Sequence, residues 1–386
     1  MRVAHVITRM VVGGAQENTL YNCTDLVELY QDDVLLITGP ALGPEGDLLT
    51  QGRGVPFRVV EVPELRREVQ PWRDWVSYRA IRRILREFRP DVVHTHSAKG
   101  GILGRLAAWS LKVPAIVHTV HGAPFHPYQS SLARRATVWA EWYGARKCHA
   151  LVSVADAMTD LLVDAGVAPR EKFTTVYSGM DVTPFLQADQ HRESMRRELG
   201  YEPQQVVVGK IARLFHLKGH EYLIEAARAV VAACPDVRFL LIGDGILRDT
   251  LQQQINSAGL QPYFQFTGLV PPRRIPELLG AMDVLVHTSL REGLARALPQ
   301  ALLAGKPAVS YDVDGAREVV VTGETGFLLP PLSVTPLAEA LIQLARDPQL
   351  RQRLGDSGRQ RCADVFRHET MTRQLRELYA RLLHGA

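Results

Sequence analysis

Residues Val3–Gln16 read VAHVITRMVVGGAQ. The apolar, β-branched run Val3–Ile7 has the character of a buried parallel strand. Gly13 and Gly14 interrupt it, and a helix follows from about Ala15. Strand, glycine loop and helix in that order predict the opening of a doubly wound α/β domain. Glycines let the backbone come close to a ligand, and a helix N-terminus favours an anion. The pair is not the GxGxxG dinucleotide pattern, and a tight strand-to-helix turn would use the same two residues.

The alternation continues outward from this unit. Val34–Ile37, Phe57–Val60, Val92–Thr95, Ala115–Thr119, Leu151–Val154 and Thr174–Tyr177 read as further buried strands. Helices separate them, notably Trp72–Phe88 and Gly101–Ser110. The polar, turn-rich stretch SGMDVTPFLQADQHRESMRRELGYEP, Ser178–Pro203, reads as a connection between domains. A second series follows, with strands at Val206–Ile211, Arg238–Ile242, Phe264–Thr267, Val284–Thr288, Ala308–Tyr311 and Gly326–Leu329. Its helices are Gly219–Ala233, Leu247–Ala258, Arg274–Leu279, Pro299–Ala304 and Val334–Arg346. The expected organisation is an α/β fold of two similar domains, residues 1–180 and 190–367, facing an interdomain cleft. A C-terminal helix at about 368–386 is expected to pack back on the first. In open α/β sheets ligands bind beyond the carboxyl ends of the strands, so a shared cleft suits a donor and an acceptor.

Bulk properties narrow the function. A chain of 386 residues suits two or three domains of roughly 100–200 residues. A formal net charge of +4, with both signs spread over both halves, excludes a nucleic-acid binder as the first reading. Cys23, Cys148, Cys234 and Cys362 form no CxxC, which argues against a disulfide framework or a zinc site and fits a reducing cytoplasm. The N-terminus carries no signal-peptide pattern, and no apolar run approaches the roughly 18–20 residues that span a bilayer. One region is strongly basic: Arg66, Arg67, Arg73, Arg79, Arg82, Arg83, Arg86 and Arg89. It reads either as a solvated helix face or as a peripheral contact with an anionic membrane or acceptor.

Five loops carry chemistry. The glycine loop around Gly13 and Gly14 is one. In GKIARLFHLKGHEYLIEA, Arg213 and Lys218 follow a strand and precede a helix, where two cations can neutralise a diphosphate leaving group. LIGDGILRD, Leu241–Asp249, is a common glycine turn. In HTVHGAPFHP, His118 and His121 end a strand, as His94 and His96 do in HTHSAKGG. Alternation puts His94 and His96 on one face, but no carboxylate or cysteine set accompanies them, and the expectation is no metal. The fifth loop is HTSLREGLARALPQALLAGKP, His287–Pro307. It reads as placing Glu292 and Gly293 at the mouth of a helix and Gln300 two turns further on. The carboxylate can accept from sugar hydroxyls and the helix start can receive a phosphate. DGAREVV, Asp314–Val320, adds Glu318 beside another glycine.

In order, the pieces GGAQ, HTVHG, VYSGMD, GKIARLFHLKG, LIGDG, FTGL, REGL, AGKPAVS, DGAREVV and GETGFLL resemble the family-4 retaining glycosyltransferases of the GT-B fold, over nearly the whole chain. The resemblance implies two tandem Rossmann-like domains and a metal-independent hexosyltransferase. The enzyme would take a nucleotide-diphosphate sugar as co-substrate, without a cofactor, and transfer its sugar with retention. Gly14, beside Gly13, would approach the diphosphate. Arg213 and Lys218 would hold it. Glu292 would bind the sugar, with the N–H groups around Gly293 and Leu294 on phosphate or sugar oxygens. His121 would contact the sugar near the reacting centre, and Val270 would line the base pocket. The family's second glutamate, which binds ribose hydroxyls, is Gln300 here. A neutral acceptor costs on the order of 1 kcal/mol against a charged one. EGFG is changed to Glu292–Ala295, and Arg296 is an unusual cation. Pro299 is tolerable only in a first helical turn.

The expected acceptor is a glycan or a lipid-linked sugar, with His96 and Lys99 as acceptor-side candidates. Trp139, Trp142 and Tyr143, beside Arg134 and Arg135, read either as core or as acceptor contacts. The alternative functions are a nucleotide-sugar epimerase, for which His121 and Glu318 are a thin acid–base set, and a catalytically weak nucleotide-sugar-binding protein, motivated by Gln300.

Overall fold

A computed structural model describes residues 1–42, 46–50, 54–125 and 129–385. His126 and Pro127 of the HTVHGAPFHP motif and the terminal Ala386 lie outside them. Thirteen strands occur among the described residues, all paired in parallel in two sheets. The first sheet contains β1 (Arg2–Arg9), β2 (Asp33–Gly39), β3 (Arg58–Glu61), β4 (Val92–His96), β5 (Ala115–Val120), β6 (Ala150–Ser153) and β7 (Phe173–Thr175), in the order β3-β2-β1-β4-β5-β6-β7. The second contains β8 (Val206–Ile211), β9 (Val237–Ile242), β10 (Phe264–Gly268), β11 (Val284–His287), β12 (Ala308–Tyr311) and β13 (Gly326–Leu329), in the order β10-β9-β8-β11-β12-β13. Each order reverses beside its own first strand, the winding of a dinucleotide-type α/β domain. This is the α/β architecture of two Rossmann-like units expected from the strand pattern.

The chain divides into Met1–Met180 with Val365–Ala386, and Asp181–Asp364. In the first unit Val3, Ala4, Val6 and Ile7 of β1 are wholly buried, as parallel strands covered on both faces require. Helix Ala98–Ser110 packs over β1, β4 and β5, and Gly100 and Gly104 let it come close: a Cβ on Gly100 would meet the Thr8 nitrogen at 2.7 Å. The second core gathers Val208, Phe239, Leu241, Val284 and Val309 from the strands with Leu223, Leu337 and Leu341 from helices His220–Ala233 and Val334–Arg346.

The C-terminal region is two helices, Pro348–Cys362 and His368–His384, and the division between units falls between them. The last helix buries Met371, Leu375, Leu378 and Tyr379 against Cys23, Leu26, Leu36 and Val117. Polar ties fix it: Asp25 accepts from Thr372 at 2.8 Å and meets His368 Nδ1 at 2.9 Å, and Arg376 pairs with Asp32 at 3.0 Å.

The sequence reading passed over helices in two places. The stretch 178–203, read as a connection, forms helices Thr183–Leu186 and Arg192–Leu199, and from Asp181 it belongs to the second unit. Its polarity misleads because Arg192 and Arg196 are spent on Asp283, at 2.6 and 3.5 Å. Helices Ser131–Ala145 and Asp156–Asp164 were also not read from the sequence.

Candidate functional site

Where each winding reverses, two adjacent strand ends diverge, and loops there can receive a ligand. In the second unit the reversal lies between β8 and β11. The loop after β8 carries Arg213 and Lys218; the loop after β11 carries Thr288 to Glu292. These loops lock together at Gly219, whose φ of +64° is left-handed and whose Cβ would sit 2.0 Å from the Thr288 carbonyl oxygen. Only glycine meets both demands. Lys218 Nζ donates to Glu292 Oε1 at 2.5 Å, and His287 Nε2 lies 3.5 Å from the same oxygen. The Glu292 N–H donates to Asp314 Oδ2 at 2.6 Å, and the Gly315 N–H donates to the Gly293 carbonyl at 3.1 Å. The DGAREVV loop thus braces the REGL loop. The Arg213 guanidinium lies 5.0 Å over the Phe215 ring, on the exposed side of its loop.

The charge states follow from this packing. Burial opposes the Glu292 charge, but the His287 ring and the Lys218 ammonium outweigh it and hold the carboxyl well below the usual carboxylate range. Burial pushes the His287 imidazole down despite the pull of Glu292. Burial raises Asp314, against the Glu292 N–H. Beneath the loops, Lys210 on β8 is wholly buried and donates to Thr288 Oγ1 at 2.8 Å; Thr288 in turn donates to the Gly219 carbonyl at 2.6 Å. Burial, and then the neighbouring Lys218, bring Lys210 down to about 7. Sequence reasoning passed over Lys210, although a lysine inside the buried run VVVGKI is itself a signal.

Helix Ala297–Leu303 begins slightly before the expected Pro299, and Glu292, Gly293 and Leu294 lie in the strand-to-helix loop that precedes it. Pro299 falls in the first turn of helix Ala297–Leu303, where its missing N–H has no partner to lose. Gln300 is one position further on, half-buried, its N–H donating to the Arg296 carbonyl at 3.1 Å. Val270 is half-buried just beyond Gly268, which turns the chain at a φ of +70°.

In the first unit the reversal lies between β1 and β4. Thr8 and Ser97 join the two strand ends through hydroxyls 2.7 Å apart, and the Gly100 N–H donates to Thr8 at 2.9 Å. Gly13 and Gly14 begin helix Gly14–Glu28. Gly13 has a φ of 173°, extended backbone open to any residue, and a Cβ there would meet only the flexible Gln16 amide.

The first sheet's distinctive feature is a histidine array. His5 Nδ1 lies 3.0 Å from His96 Nε2, and His96 Nδ1 lies 3.1 Å from His121 Nε2. His94 bonds to the Tyr379 hydroxyl at 2.5 Å and to Thr119 at 2.7 Å. Burial pushes His5 down to about 3, and burial followed by the neighbouring rings holds His94 and His96 well below the ordinary histidine value. Ring nitrogens of His5, His94 and His96 lie within 4.8 Å of one another, a spacing that could hold a metal, but five of their six nitrogens are engaged in hydrogen bonds. His96, an acceptor-side candidate in the sequence, is wholly buried. Lys99 is paired with Asp74 at 2.6 Å.

The aromatic residues resolve the other way. Trp139 is 63% exposed and Trp72 72%, and Trp75, Trp109, Trp142 and Tyr143 are also at the surface rather than in the core. No helix among the described residues is long and apolar enough to cross a membrane.

Comparison with known proteins places these loops in a context. Residues 191–361 match the model of glycosyl transferases group 1, and residues 13–179 that of the glycosyl transferase 4-like domain. The chain is 28% identical to the UDP-Gal:alpha-D-GlcNAc-diphosphoundecaprenol alpha-1,3-galactosyltransferase of Escherichia coli, over 91% of this chain and 89% of that one. It is 27% identical to the alpha-D-kanosaminyltransferase of Streptomyces kanamyceticus, over 73% and 75%. Among solved structures, Anabaena HepE in complex with UDP superposes with a TM-score of 0.82 at 23% identity, covering 98% of this chain and 100% of that one. The lipopolysaccharide glycosyltransferase WaaG superposes with a TM-score of 0.73 at 18% identity, over the whole of both chains.

Proposed function

The chain belongs to the glycosyl transferases group 1 family and is a glycosyltransferase, and on that premise we propose that it transfers a hexose from a nucleotide-diphosphate sugar, with retention and without a metal, to a lipid-linked or glycan acceptor. The observation that carries the reading is the Lys218–Glu292 pair at the reversal point of the second sheet. It sets a cation for phosphate beside a carboxylate for sugar hydroxyls, on loops locked at Gly219. Arg213 supplies the second cation. UDP-hexoses are the first donors to try, because the Escherichia coli relative is named for UDP-Gal and HepE was solved with UDP-glucose.

In the proposed reaction the bond from the anomeric carbon to the diphosphate oxygen breaks as the acceptor oxygen bonds on the same face. The acceptor's proton passes to the departing phosphate oxygen. Lys218 and Arg213 stabilise charge that grows on the diphosphate, the kind of interaction that raises kcat. Glu292 orients the sugar, His121 contacts it near the reacting carbon, Gly14 and the Gly293–Leu294 amides approach phosphate or sugar oxygens, Val270 lines the base pocket, and Gln300 accepts from the ribose. Retention agrees with the alpha linkage in the relative's name, since UDP-galactose is itself alpha-linked.

Exposed Trp72 and Trp75 on the arginine-rich helix Pro71–Phe88, and Trp139 nearby in sequence to Arg134 and Arg135, support an acceptor presented at an anionic lipid surface. The test is turnover with UDP-hexoses, with and without an undecaprenyl-diphosphate sugar. Consumption of donor that depends on acceptor, and an alpha product, are expected. Conversion of the donor alone to another nucleotide sugar would replace transfer with epimerisation.

A further inference from the structure

We propose that His5 and His96 are positioning residues that fix His121 as a neutral imidazole carrying its proton on Nδ1. The inference rests on the assignment of His121 to the donor sugar and deepens it. Three rings from β1, β4 and the end of β5 form one file, with links of 3.0 and 3.1 Å and successive centroids 5.3 and 5.4 Å apart. A neutral imidazole has one N–H and one lone pair. His96 must therefore donate to one neighbour and accept from the other, so both links point the same way.

The blind end selects the direction. His5 Nε2 is buried and has no hydrogen-bond partner among the described residues. An inward file would put an N–H there with nothing to accept it. An outward file leaves a lone pair, and an orphaned buried N–H is the rarer defect. Outward polarity runs His5 Nδ1–H to His96 Nε2, then His96 Nδ1–H to His121 Nε2. His121 Nε2 accepts, which leaves its proton on Nδ1.

The same file resists a charge on His121. A second proton would face the His96 N–H, and relieving that clash would drive a proton through to His5 Nε2. His94 on β4, His118 on β5 and the Tyr379 hydroxyl are neutral, and Arg105 on helix Ala98–Ser110 is a cation already paired with Glu141 at 3.5 Å. His94 is itself spoken for: Tyr379 donates to Asn22, so it accepts from His94 Nδ1, while Thr119 serves Nε2. The purpose is electrostatic. Departure of the diphosphate leaves positive charge at the anomeric carbon. A neutral Nδ1–H can donate to a sugar oxygen there without adding a like charge.

Nitrogen-15 NMR of histidine-labelled protein tests the assignment directly. The expected spectrum at neutral pH shows His121 protonated on Nδ1 and bare on Nε2, and it stays neutral under mild acid. His5→Phe removes the donor at the blind end. His121 should then sample both tautomers and take up a proton about one pH unit higher or more, with the acid limb of kcat/KM rising in step. An Nε2–H tautomer or a charged His121 in the unaltered chain overturns the proposal, and that measurement needs no variant to fold. An unchanged tautomer and pH profile in folded His5→Phe overturns it too. If the tautomer is as stated but His121→Ala transfers sugar normally, the array stands and the sugar assignment of His121 falls.

Discussion

The two sheets share one winding but carry opposite chemistry where it reverses. At β1 and β4 the polar groups are hydroxyls and buried imidazoles held neutral by burial. At β8 and β11 they are charges: Lys218 on Glu292, exposed Arg213, and Lys210 poised near neutrality beneath them. Topology supplies the same pair of diverging strand ends in each case. What differs is which side chains the strands bring to them. On the proposed assignment, the Lys218 and Arg213 cations of the second unit serve the diphosphate, and the neutral His121 of the first unit serves the sugar beside a developing positive charge. The fold therefore gives the place of a site, and the residues on it give the function.

The contrast can be broken most severely at the charged end. Lys218→Ala should lower kcat/KM about 100-fold or more, because it removes a cation from the leaving group and strands Glu292. Arg213→Ala should cost a similar factor, and near-normal turnover in both variants would retire the donor site. Gly219→Ala comes next: its Cβ would strike the Thr288 carbonyl from a left-handed backbone, so a loss of more than about 1 kcal/mol of stability is expected in denaturant titration.

Lys210 sharpens the contrast through pH. The folded chain releases its Lys210 proton near pH 7, against an ordinary value of 10.5. Unfolding takes up that proton between these limits, so the term makes stability rise with pH there, by up to about 1.4 kcal/mol per unit. Lys210→Met should remove this slope, and parallel melting curves for the two chains across the interval would contradict the buried charge. The smallest effect is at Gln300. Gln300→Glu should tighten donor binding and Gln300→Ala weaken it, each by about fivefold, or on the order of 1 kcal/mol. No change in either removes the ribose role.

Much of this was legible in the sequence because buried parallel strands leave short apolar runs, β-branched in strands such as β1, β4 and β8. Loops were harder. Pro299 marked the expected helix start, yet the helix begins at Ala297, because proline is tolerated anywhere in a first turn, and the ties of Glu292 and Gly293 to Asp314 and Gly315 in the loop before it left no local signal. The polar stretch after Met180 hid two helices, the second of which, Arg192–Leu199, turns Arg192 and Arg196 to Asp283. Pairings between distant residues were not legible at all. His5 and His96 are 91 positions apart, and Lys218 and Glu292 are 74 apart. They meet only because β1 lies beside β4 and β8 beside β11, and strand order is fixed by packing rather than by any local pattern. Once that order is known, histidines on three adjacent strands become a readable signal.

The most direct test of the contrast is the affinity for UDP, measured by titration calorimetry on the unaltered chain, Lys218→Met and His121→Phe. A lost charged contact to phosphate is worth about 1.5–3 kcal/mol, or roughly 10- to 150-fold. Lys218→Met should weaken UDP binding within that range, while His121→Phe, at a residue proposed to meet the sugar rather than the diphosphate, should leave it within about twofold. Equal losses in the two variants, or a loss confined to His121→Phe, would contradict the assignment of Lys218 to the diphosphate and of His121 to the sugar.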